Sequence, residues 1–251
     1  MPSMLSVDLN CDMGEGYPND AALMDYISSV NIACGFHAGD YATMRATVKA
    51  AIEKGVAIGA HPSFPDRENF GRTAMPLSTD EIREIVTEQI QILQAVCDAD
   101  SGKLTHVKPH GALYNHSAKD PAIAAAIAQA VRDHDPKLIL FGFSGSVSIG
   151  EAQKIGLQTA AEAFADRTYR SDGSLTPRSE ANALIIDTVV AAEQAFRMIS
   201  NGCVIAAGGE LVAIEADTIC IHGDGEHALE FAAAINKKLT ENGIRIKAFN
   251  G

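Results

Sequence analysis

The chain has no tryptophan, and aromatic residues make up only 6% of its 251 residues. This scarcity disfavours the aromatic platforms on which sugars or bases stack. Basic side chains are also few, since 20 Lys and Arg face 32 Asp and Glu and the formal net charge is −12. Nucleic-acid backbones and anionic membranes would repel such a chain, so neither is expected as a partner.

Several patterned features are absent as well. No apolar run approaches the roughly 18 residues of a membrane span, and the N-terminus shows no secretory signal pattern. The 5 cysteines are odd in number and widely spaced, which favours reduced thiols in the cytoplasm over a disulfide framework. Neither a P-loop nor a Gly-x-Ser-x-Gly nucleophile motif occurs in the sequence.

Short β-branched runs alternate with longer amphipathic segments throughout the sequence. This order predicts an α/β protein with buried parallel strands, and it fits one domain over residues 1–251. Helices are predicted over 20–28, 41–54, 79–98, 121–133, 146–154, 180–201 and 226–242. Strands are predicted over 5–10, 30–34, 56–60, 105–108, 138–143, 158–164, 218–221 and 244–249, with a hairpin formed by 204–206 and 211–215.

Polar residues beside glycine follow six of the predicted strands. A barrel brings all of these strand ends to one face, where catalytic residues gather, whereas a doubly wound sheet divides them at its switch point. Turn preference explains a single Asp or Gly, but His and Lys have no such preference. We therefore expect a (β/α) barrel whose mouth binds one ligand.

The first two strand ends supply candidate ligands for a cation. Asp8, Asn10 and Asp12 alternate, so their side chains share one face of an extended segment and could hold a hard cation or form a hydrogen-bonded network. His37 and His61 follow neighbouring strands, and they are candidates for metal ligands, acid/base groups or structural histidines.

Cationic residues also fall near strand ends. Lys108 lies just inside one of them, which suits an acidic ligand or a structural ion pair. Arg72, Arg167 and Arg178 are candidates for a clamp on a carboxylate or a phosphate, because guanidinium binds such groups bidentately.

Seven motifs lie in order along the chain: DLNCDMGEG (8–16), NIACGFHAGD (31–40), GAHPSFPD (59–66), FGR (70–72), VKPHGALYN (107–115), EAFADRTY (162–169) and ICIHGD (219–224). Together these motifs resemble the LamB/YcsF family, and the resemblance runs from about residue 5 to residue 249. One departure is Thr73, which stands where a second arginine would follow FGR.

The resemblance implies a seven-stranded (β/α) barrel of the glycoside hydrolase/deacetylase type. It also implies cleavage of 5-oxo-L-proline to L-glutamate, coupled to hydrolysis of ATP to ADP and phosphate. ATP would be a co-substrate, with Mg²⁺ accompanying it. Two further 5-oxoprolinase subunits, similar to carboxylase and allophanate-hydrolase proteins, would complete the enzyme, and a homo-oligomer is possible.

Our site hypothesis follows from this chemistry, which needs a base and cations for anionic groups. Asp12, His61 and Glu162 are the candidate bases, and Lys108 and Arg167 would bind anionic groups. The metal candidates are Asp12, His37 and His61. The expected substrate-binding residues are Asp8, Asn10, His37, Arg72, His110, Asp166, Arg167 and His222.

Two other functions stay open at the level of sequence. A metal-dependent deacetylase or sugar hydrolase would use the same barrel mouth with an Asp-His-His site. A non-catalytic subunit would bind the substrate without turning it over, and the missing P-loop is compatible with ATP binding wholly on a partner.

Overall fold

A computed structural model describes residues 5–221, 223 and 227–250 of the chain. The strands are β1 Ser6–Met13, β2 Ser29–Ala33, β3 Ala57–His61, β4 Leu104–Val107, β5 Ile139–Phe143, β6 Gln158–Phe164, β7 Cys203–Ile205, β8 Leu211–Ala213, β9 Thr218–Ile221 and β10 Arg245–Ile246. The α-helices are α1 Asp20–Leu23, α2 Tyr41–Lys54, α3 Thr79–Ala99, α4 Gly111–Ser117, α5 Pro121–His134, α6 Val147–Lys154, α7 Thr188–Asn201 and α8 Ala228–Glu241. A 3-10 turn spans Arg67–Asn69.

The strands of the barrel run in the order β1, β2, β3, β4, β5, β6 and β9, and β9 pairs with β1 to close it. All of these pairings are parallel. Strand β10 adds to the start of β1, and the β7–β8 hairpin is a separate antiparallel pair. The expected seven-stranded (β/α) barrel is therefore confirmed, and so is the predicted hairpin.

Local signals set where the main helices begin and end. Helix α3 starts with a capping box in which the Ser78 hydroxyl and the Glu81 carboxylate each accept a backbone N–H. Helix α2 ends at Gly55, whose φ of 68° is the left-handed conformation that glycine adopts without steric penalty. Both helices lie close to their predicted limits and pack buried apolar faces against the barrel.

One long helix was predicted over 180–201, and that prediction is wrong for residues 180–187. Helix α7 begins only at Thr188, because the Asp187 carboxylate caps the backbone N–H groups of Val189 and Val190. The residues before it form a loop that lies beside β6, where the Arg167 side chain donates to the carbonyl oxygens of Thr176 and Ala183.

Four other elements also differ from the predictions. Helix α4 was not predicted, and it forms directly after Pro109 and His110. Helix α1 is only 4 residues long, and strand β10 only 2. Strand β1 reaches Met13, beyond its predicted end at residue 10, because Asn10–Met13 pair with β2. In the part of the chain that the structure describes, no helix combines the length and the apolar character that crossing a membrane requires.

Candidate functional site

A column of polar side chains runs up the interior of the barrel. Asp8, Asn10 and Asp12 alternate along β1, and their hydrogen bonds to the surrounding strands show that all three point inward. Barrel interiors are usually filled by layers of branched apolar residues, so these buried polar groups need partners. The surrounding strands supply those partners level by level.

Asp8 lies at the lower end of this column and is 1% exposed. Its carboxylate accepts hydrogen bonds from the hydroxyls of Ser28, Ser29 and Thr218, each at 2.6 Å. Burial raises the pKa of Asp8 to about 6, although these hydrogen bonds oppose the shift. Asp8 therefore has a structural role inside the barrel and does not face its open end.

The middle of the column is an amide and imidazole network. Asn31 donates to Asn10 Oδ1 and Asp12 Oδ1, both at 2.8 Å, and His106 Nε2 lies 2.9 Å from Asn31 Oδ1. Burial lowers the pKa of His106 to about 3, with Lys108 adding to the effect. This neutral His106 fits because Gly59 opposite has no side chain, and a Cβ there would lie 2.1 Å from the ring nitrogen.

Lys108 lies at the upper end of the column between two carboxylates. Its Nζ is 2.9 Å from Asp12 Oδ1 and 2.8 Å from Glu162 Oε1, and it also contacts Cys220 Sγ at 3.1 Å. Burial alone would lower the pKa of Lys108, but Asp12, together with Glu162, holds it well above the usual value. Lys108 is therefore protonated, and the site contains a buried ammonium group.

The two carboxylates beside Lys108 differ in their access to solvent. Glu162 is fully buried and accepts hydrogen bonds from Asn10 Nδ2 at 3.0 Å and from the Tyr114 hydroxyl at 2.6 Å. Asp12 lines a cavity, and its side chain is 15% exposed. Asp12 can therefore meet a ligand, whereas Glu162 orients Lys108 and Tyr114.

Three histidines and Glu15 form a cluster next to Asp12. His37 comes from the loop after β2, His61 ends β3, and His110 is the N-cap of α4. His61 Nε2 lies 2.9 Å from His110 Nδ1 and 3.4 Å from Asp12 Oδ2. Glu15 Oε1 lies 3.2 Å from His37 Nε2 and 3.7 Å from His110 Nδ1. One ligand atom from each of Glu15, His37, His61 and His110 falls within 4.8 Å of the others.

Burial keeps two of these histidines neutral. It is the largest effect that lowers the pKa of His37, and the neighbouring His110 and His61 add to it. Burial likewise lowers the pKa of His110 to about 3, and His61 adds to that shift. Neutral imidazole is the form that binds metals and accepts protons.

A cavity of about 270 Å³ opens at the carboxyl ends of the barrel strands. It is lined by Asp12, His61 and Lys108, which lie at or next to strand ends, and by Arg72 and Arg178 from loops. The full lining is Asp12, Glu15, His61, Phe70, Arg72, Lys108, Pro109, His110, Gly111, Ala112, Tyr114, Asn115, Phe164, Arg167, Leu175, Arg178 and Gly223.

The expected site residues divide into three groups in the structure. Those that line the cavity are Asp12, His61, Arg72, Lys108, His110 and Arg167. Those that lie behind or beside it are Asp8, Asn10, His37, Glu162 and Asp166. His222 lies outside the described residues, so its expected role stays a prediction.

Arg167 lines the cavity but also holds the loop before α7. Its Nε and one terminal nitrogen donate to backbone carbonyl oxygens, and burial, followed by the nearby Arg178, lowers its pKa. These contacts give Arg167 a structural task in addition to the ligand contact expected from the sequence.

Five residues of the site were not predicted from the sequence. Glu15 and Tyr114 lie inside the family motifs, but only the fold shows that they face the histidines and Glu162. Asn31, His106 and Cys220 lie on barrel strands, and the register of those strands turns them inward. Side chains along β2, β4 and β9 alternate between the inside and the outside of the barrel, and this alternation could have identified the inward-facing residues.

The fold and its polar mouth define a (β/α) barrel of the glycoside hydrolase/deacetylase type. The structure is similar to the family 4 carbohydrate esterase from Streptomyces lividans, with a TM-score of 0.52 at 13% identity, covering 96% of this chain and 91% of the esterase chain. At that identity the likeness concerns the fold alone.

The family model of the LamB/YcsF family matches residues 7–251, and the chain belongs to this family. The chain is 52% identical to a 5-oxoprolinase subunit of Brevibacillus brevis over 250 residues, which are 98% of each protein. It also superposes on the lactam utilization protein from Thermus thermophilus with a TM-score of 0.94 at 43% identity, covering 98% of this chain and 100% of that one. The resemblance inferred from the motifs is thereby confirmed.

Proposed function

We propose that this chain opens the lactam ring of 5-oxo-L-proline to give L-glutamate, as one subunit of an enzyme that couples this step to ATP hydrolysis. The observation that carries the proposal is the buried Lys108 ammonium group between Asp12 and Glu162, facing a small cavity that arginine side chains also line. The names of the relatives, a 5-oxoprolinase subunit and a lactam utilization protein, support the same substrate class.

The size and charge of the cavity suit a small anion. Its volume of about 270 Å³ lies just below the roughly 300–1,000 Å³ of pockets for drug-sized ligands. A five-membered lactam with one carboxylate is a small ligand of this kind. Arg72 and Arg178 supply guanidinium groups for that carboxylate.

The chemistry assigned to the site proceeds in two stages. The γ-phosphoryl group of ATP passes to the lactam oxygen, and ADP leaves. Water then adds to the activated carbon, and the ring C–N bond breaks so that the nitrogen leaves as the amine of γ-glutamyl phosphate. A second water molecule releases phosphate and leaves glutamate, so one ATP and two water molecules are consumed.

Three residues share the work in this scheme. Asp12 takes a proton from the attacking water, because it is the carboxylate of the Lys108 pair that faces the cavity. The Lys108 ammonium stabilises the negative charge of the phosphoryl group that the lactam oxygen carries after the first stage. Glu162 holds Lys108 in place and accepts a hydrogen bond from the Tyr114 hydroxyl. His61, 3.4 Å from Asp12, is the next candidate for proton transfer.

ATP and the other subunits belong to the proposal too. We propose that Mg²⁺ binds the ATP phosphates. We also propose that the partners are two cytoplasmic proteins similar to carboxylase and allophanate-hydrolase proteins. The sequence has no P-loop, which favours an ATP site on a partner or at its boundary with this chain.

The test measures glutamate, ADP and phosphate from 5-oxoproline and ATP, using this chain alone and together with the two candidate partner subunits. The proposal predicts equal amounts of the three products in the complete mixture, and loss of all three when this chain is omitted. Alanine substitution of Asp12, His61 or Lys108 should each abolish turnover in the complete mixture. Full turnover by all three variants would refute the site assignment.

The same mixtures separate the other two functions. Release of acetate or sugar from a model ester or glycoside without ATP would favour a deacetylase or sugar hydrolase. Tight binding of 5-oxoproline by this chain, with unchanged turnover in the alanine variants, would favour a non-catalytic binding subunit.

A further inference from the structure

The outer ring nitrogens of His61 and His110 both contact backbone carbonyl oxygens. His61 Nδ1 lies 2.7 Å from the carbonyl oxygen of Lys108, and His110 Nε2 lies 2.9 Å from the carbonyl oxygen of Phe70. A carbonyl oxygen only accepts hydrogen bonds, so both outer nitrogens carry hydrogen. The lone pairs of the neutral rings are therefore on the inner nitrogens.

These two inner nitrogens face each other. His61 Nε2 and His110 Nδ1 are 2.9 Å apart, and two neutral rings would bring lone pair against lone pair at that distance. A positive species between or beside them removes the repulsion. Only a proton or a metal ion meets this need within such a short separation.

Carboxylates surround the same point. Glu15 Oε1 lies 3.7 Å from His110 Nδ1, its side chain is 4% exposed, and Asp12 Oδ2 lies 3.4 Å from His61 Nε2. Glu15, His61 and His110 all line the cavity, so an ion bound by them would have one side open to a ligand. Two imidazoles and one carboxylate with an open position is a common donor set for a reactive zinc ion.

His37 plays a different part, although its Nε2 is also close. Its ring stacks on His110 with 3.9 Å between centroids and 3° between planes. Ring lone pairs lie in the ring plane, so two parallel stacked rings do not aim at one ion. His37 Nε2 instead lies 3.2 Å from Glu15 Oε1 and orients that carboxylate, as partners of metal ligands do.

We propose that Glu15, His61 and His110 bind one divalent transition-metal ion, Zn²⁺ or an ion of similar chemistry, at the cavity floor. In both histidines the outer ring nitrogen donates a hydrogen bond to a carbonyl oxygen. Such a bond commonly fixes the orientation of a metal-binding imidazole. Mg²⁺ prefers oxygen donors and keeps its water, so this site is distinct from the Mg²⁺ assigned to ATP. The open position takes an oxygen atom of water or of an anionic ligand.

The test uses the full chain, freed of metal with a chelator, and needs neither ATP nor partner subunits. Zn²⁺ is titrated calorimetrically, and Co²⁺ binding is followed by its visible spectrum. One ion should bind per chain. Failure here would leave the lactam reaction untouched, and failure of that reaction would leave this binding untouched.

Four variants locate the ion. Glu15→Gln and His110→Gln should each weaken Zn²⁺ binding more than about 100-fold, and His37→Gln about 10- to 100-fold. His134→Gln, at the end of α5, should bind as the wild type does. Circular dichroism of the metal-free variants confirms that the fold is kept, and His61→Gln replaces any variant that unfolds.

Two results would overturn the proposal. One is equal Zn²⁺ affinity in the wild type and in the His61→Gln, His110→Gln double variant. The other is no zinc binding by the wild type while nitrogen NMR shows a proton shared between the two rings, which would make the pair a proton site alone.

Discussion

Lys108 lies between Asp12 and Glu162, and this placement affects both the stability and the chemistry of the barrel mouth. Glu162 is fully buried, and Lys108 is only 3% exposed. Removing one member of a buried ion pair leaves the other charge without compensation, which usually costs about 3–5 kcal/mol.

We predict that Lys108→Met lowers the free energy of unfolding by about 3–5 kcal/mol. The measurement is urea unfolding of the isolated chain. Lys119→Met is the matched control, because Lys119 is exposed, and it should change stability by less than about 0.5 kcal/mol. Equal effects in the two variants would show that Lys108 is not an essential counter-charge.

Asp8 gives a prediction about pH. Its pKa is raised to about 6 from 3.8, so the folded state binds its proton more tightly than the unfolded state does. The resulting stabilisation is fully present below pH 3.8 and is lost as the pH rises through about 6. It amounts to about 3 kcal/mol over the whole range.

Replacing Asp8 with Asn should remove this dependence. The unfolding free energy of the wild type, minus that of Asp8→Asn, should fall by about 1–1.5 kcal/mol between pH 5 and pH 7.5. Urea midpoints at both pH values measure it, and Asp98→Asn on the exposed face of α3 serves as the control. A difference that is flat with pH would contradict the burial effect assigned to Asp8.

At the scale of elements, the turn into α4 decides where His110 lies. Gly111 has φ +55°, and a Cβ there would lie 2.5 Å from the carbonyl oxygen of Gly71. That contact is with backbone, which cannot move aside as a flexible side chain can. Glycine is therefore required at positions 71 and 111 for the loop after β3 to approach the start of α4 this closely.

Gly111→Ala should destabilise the chain by about 1–3 kcal/mol more than Gly156→Ala does, because only the alanine at 111 is forced against a neighbouring backbone. Gly156 is a matched control because its φ is +78° but nothing lies within 4 Å of its added Cβ. Urea unfolding measures the difference, and 5-oxoproline binding should weaken in the Gly111 variant alone. Equal stability losses would indicate that the left-handed conformation, and not the contact with Gly71, is what matters.

The sequence predicted most elements because their signals are local. The capping box of Ser78 and Glu81 and the glycine at 55 depend on residues a few positions apart. The start of α7 was missed because an apolar helical pattern continues upstream of it, while the Asp187 cap and the contacts of Arg167 stop the helix. The prediction of one domain over residues 1–251 stays a prediction.

The site was predictable only in part for a related reason. Alternation along β1 correctly placed Asp8, Asn10 and Asp12 on one face. The partners that complete the site come from strands far away in sequence, as with Asn10 and Glu162, which are 152 positions apart. Their contact depends on strand register and barrel closure, and no local sequence pattern specifies either of these.

At the scale of the whole molecule, the acidic surface contrasts with the mouth of the barrel. The net charge is −12, yet Arg72, Lys108, Arg167 and Arg178 all line the cavity. A local cluster of cations attracts a small anion even on an acidic protein, and added salt screens this attraction.

Arg72→Gln should therefore raise the KM for 5-oxoproline by about tenfold or more in the complete enzyme, since a charge-assisted hydrogen bond contributes about 1.5–3 kcal/mol. The KM of the variant should also depend less on salt than that of the wild type. Arg132→Gln, on the exposed face of α5, should leave both quantities unchanged. A KM that is the same in both variants would remove Arg72 from substrate binding.

The most direct test of the central claim is the rate of glutamate formation from 5-oxoproline and ATP by the complete enzyme containing Asp12→Asn. This change keeps the shape of the side chain but removes the base that faces the cavity. The account predicts a loss of about 100-fold or more in kcat, with Asp133→Asn on the surface of α5 behaving as the wild type. Wild-type kcat in the Asp12 variant would contradict the placement of the reaction in this cavity.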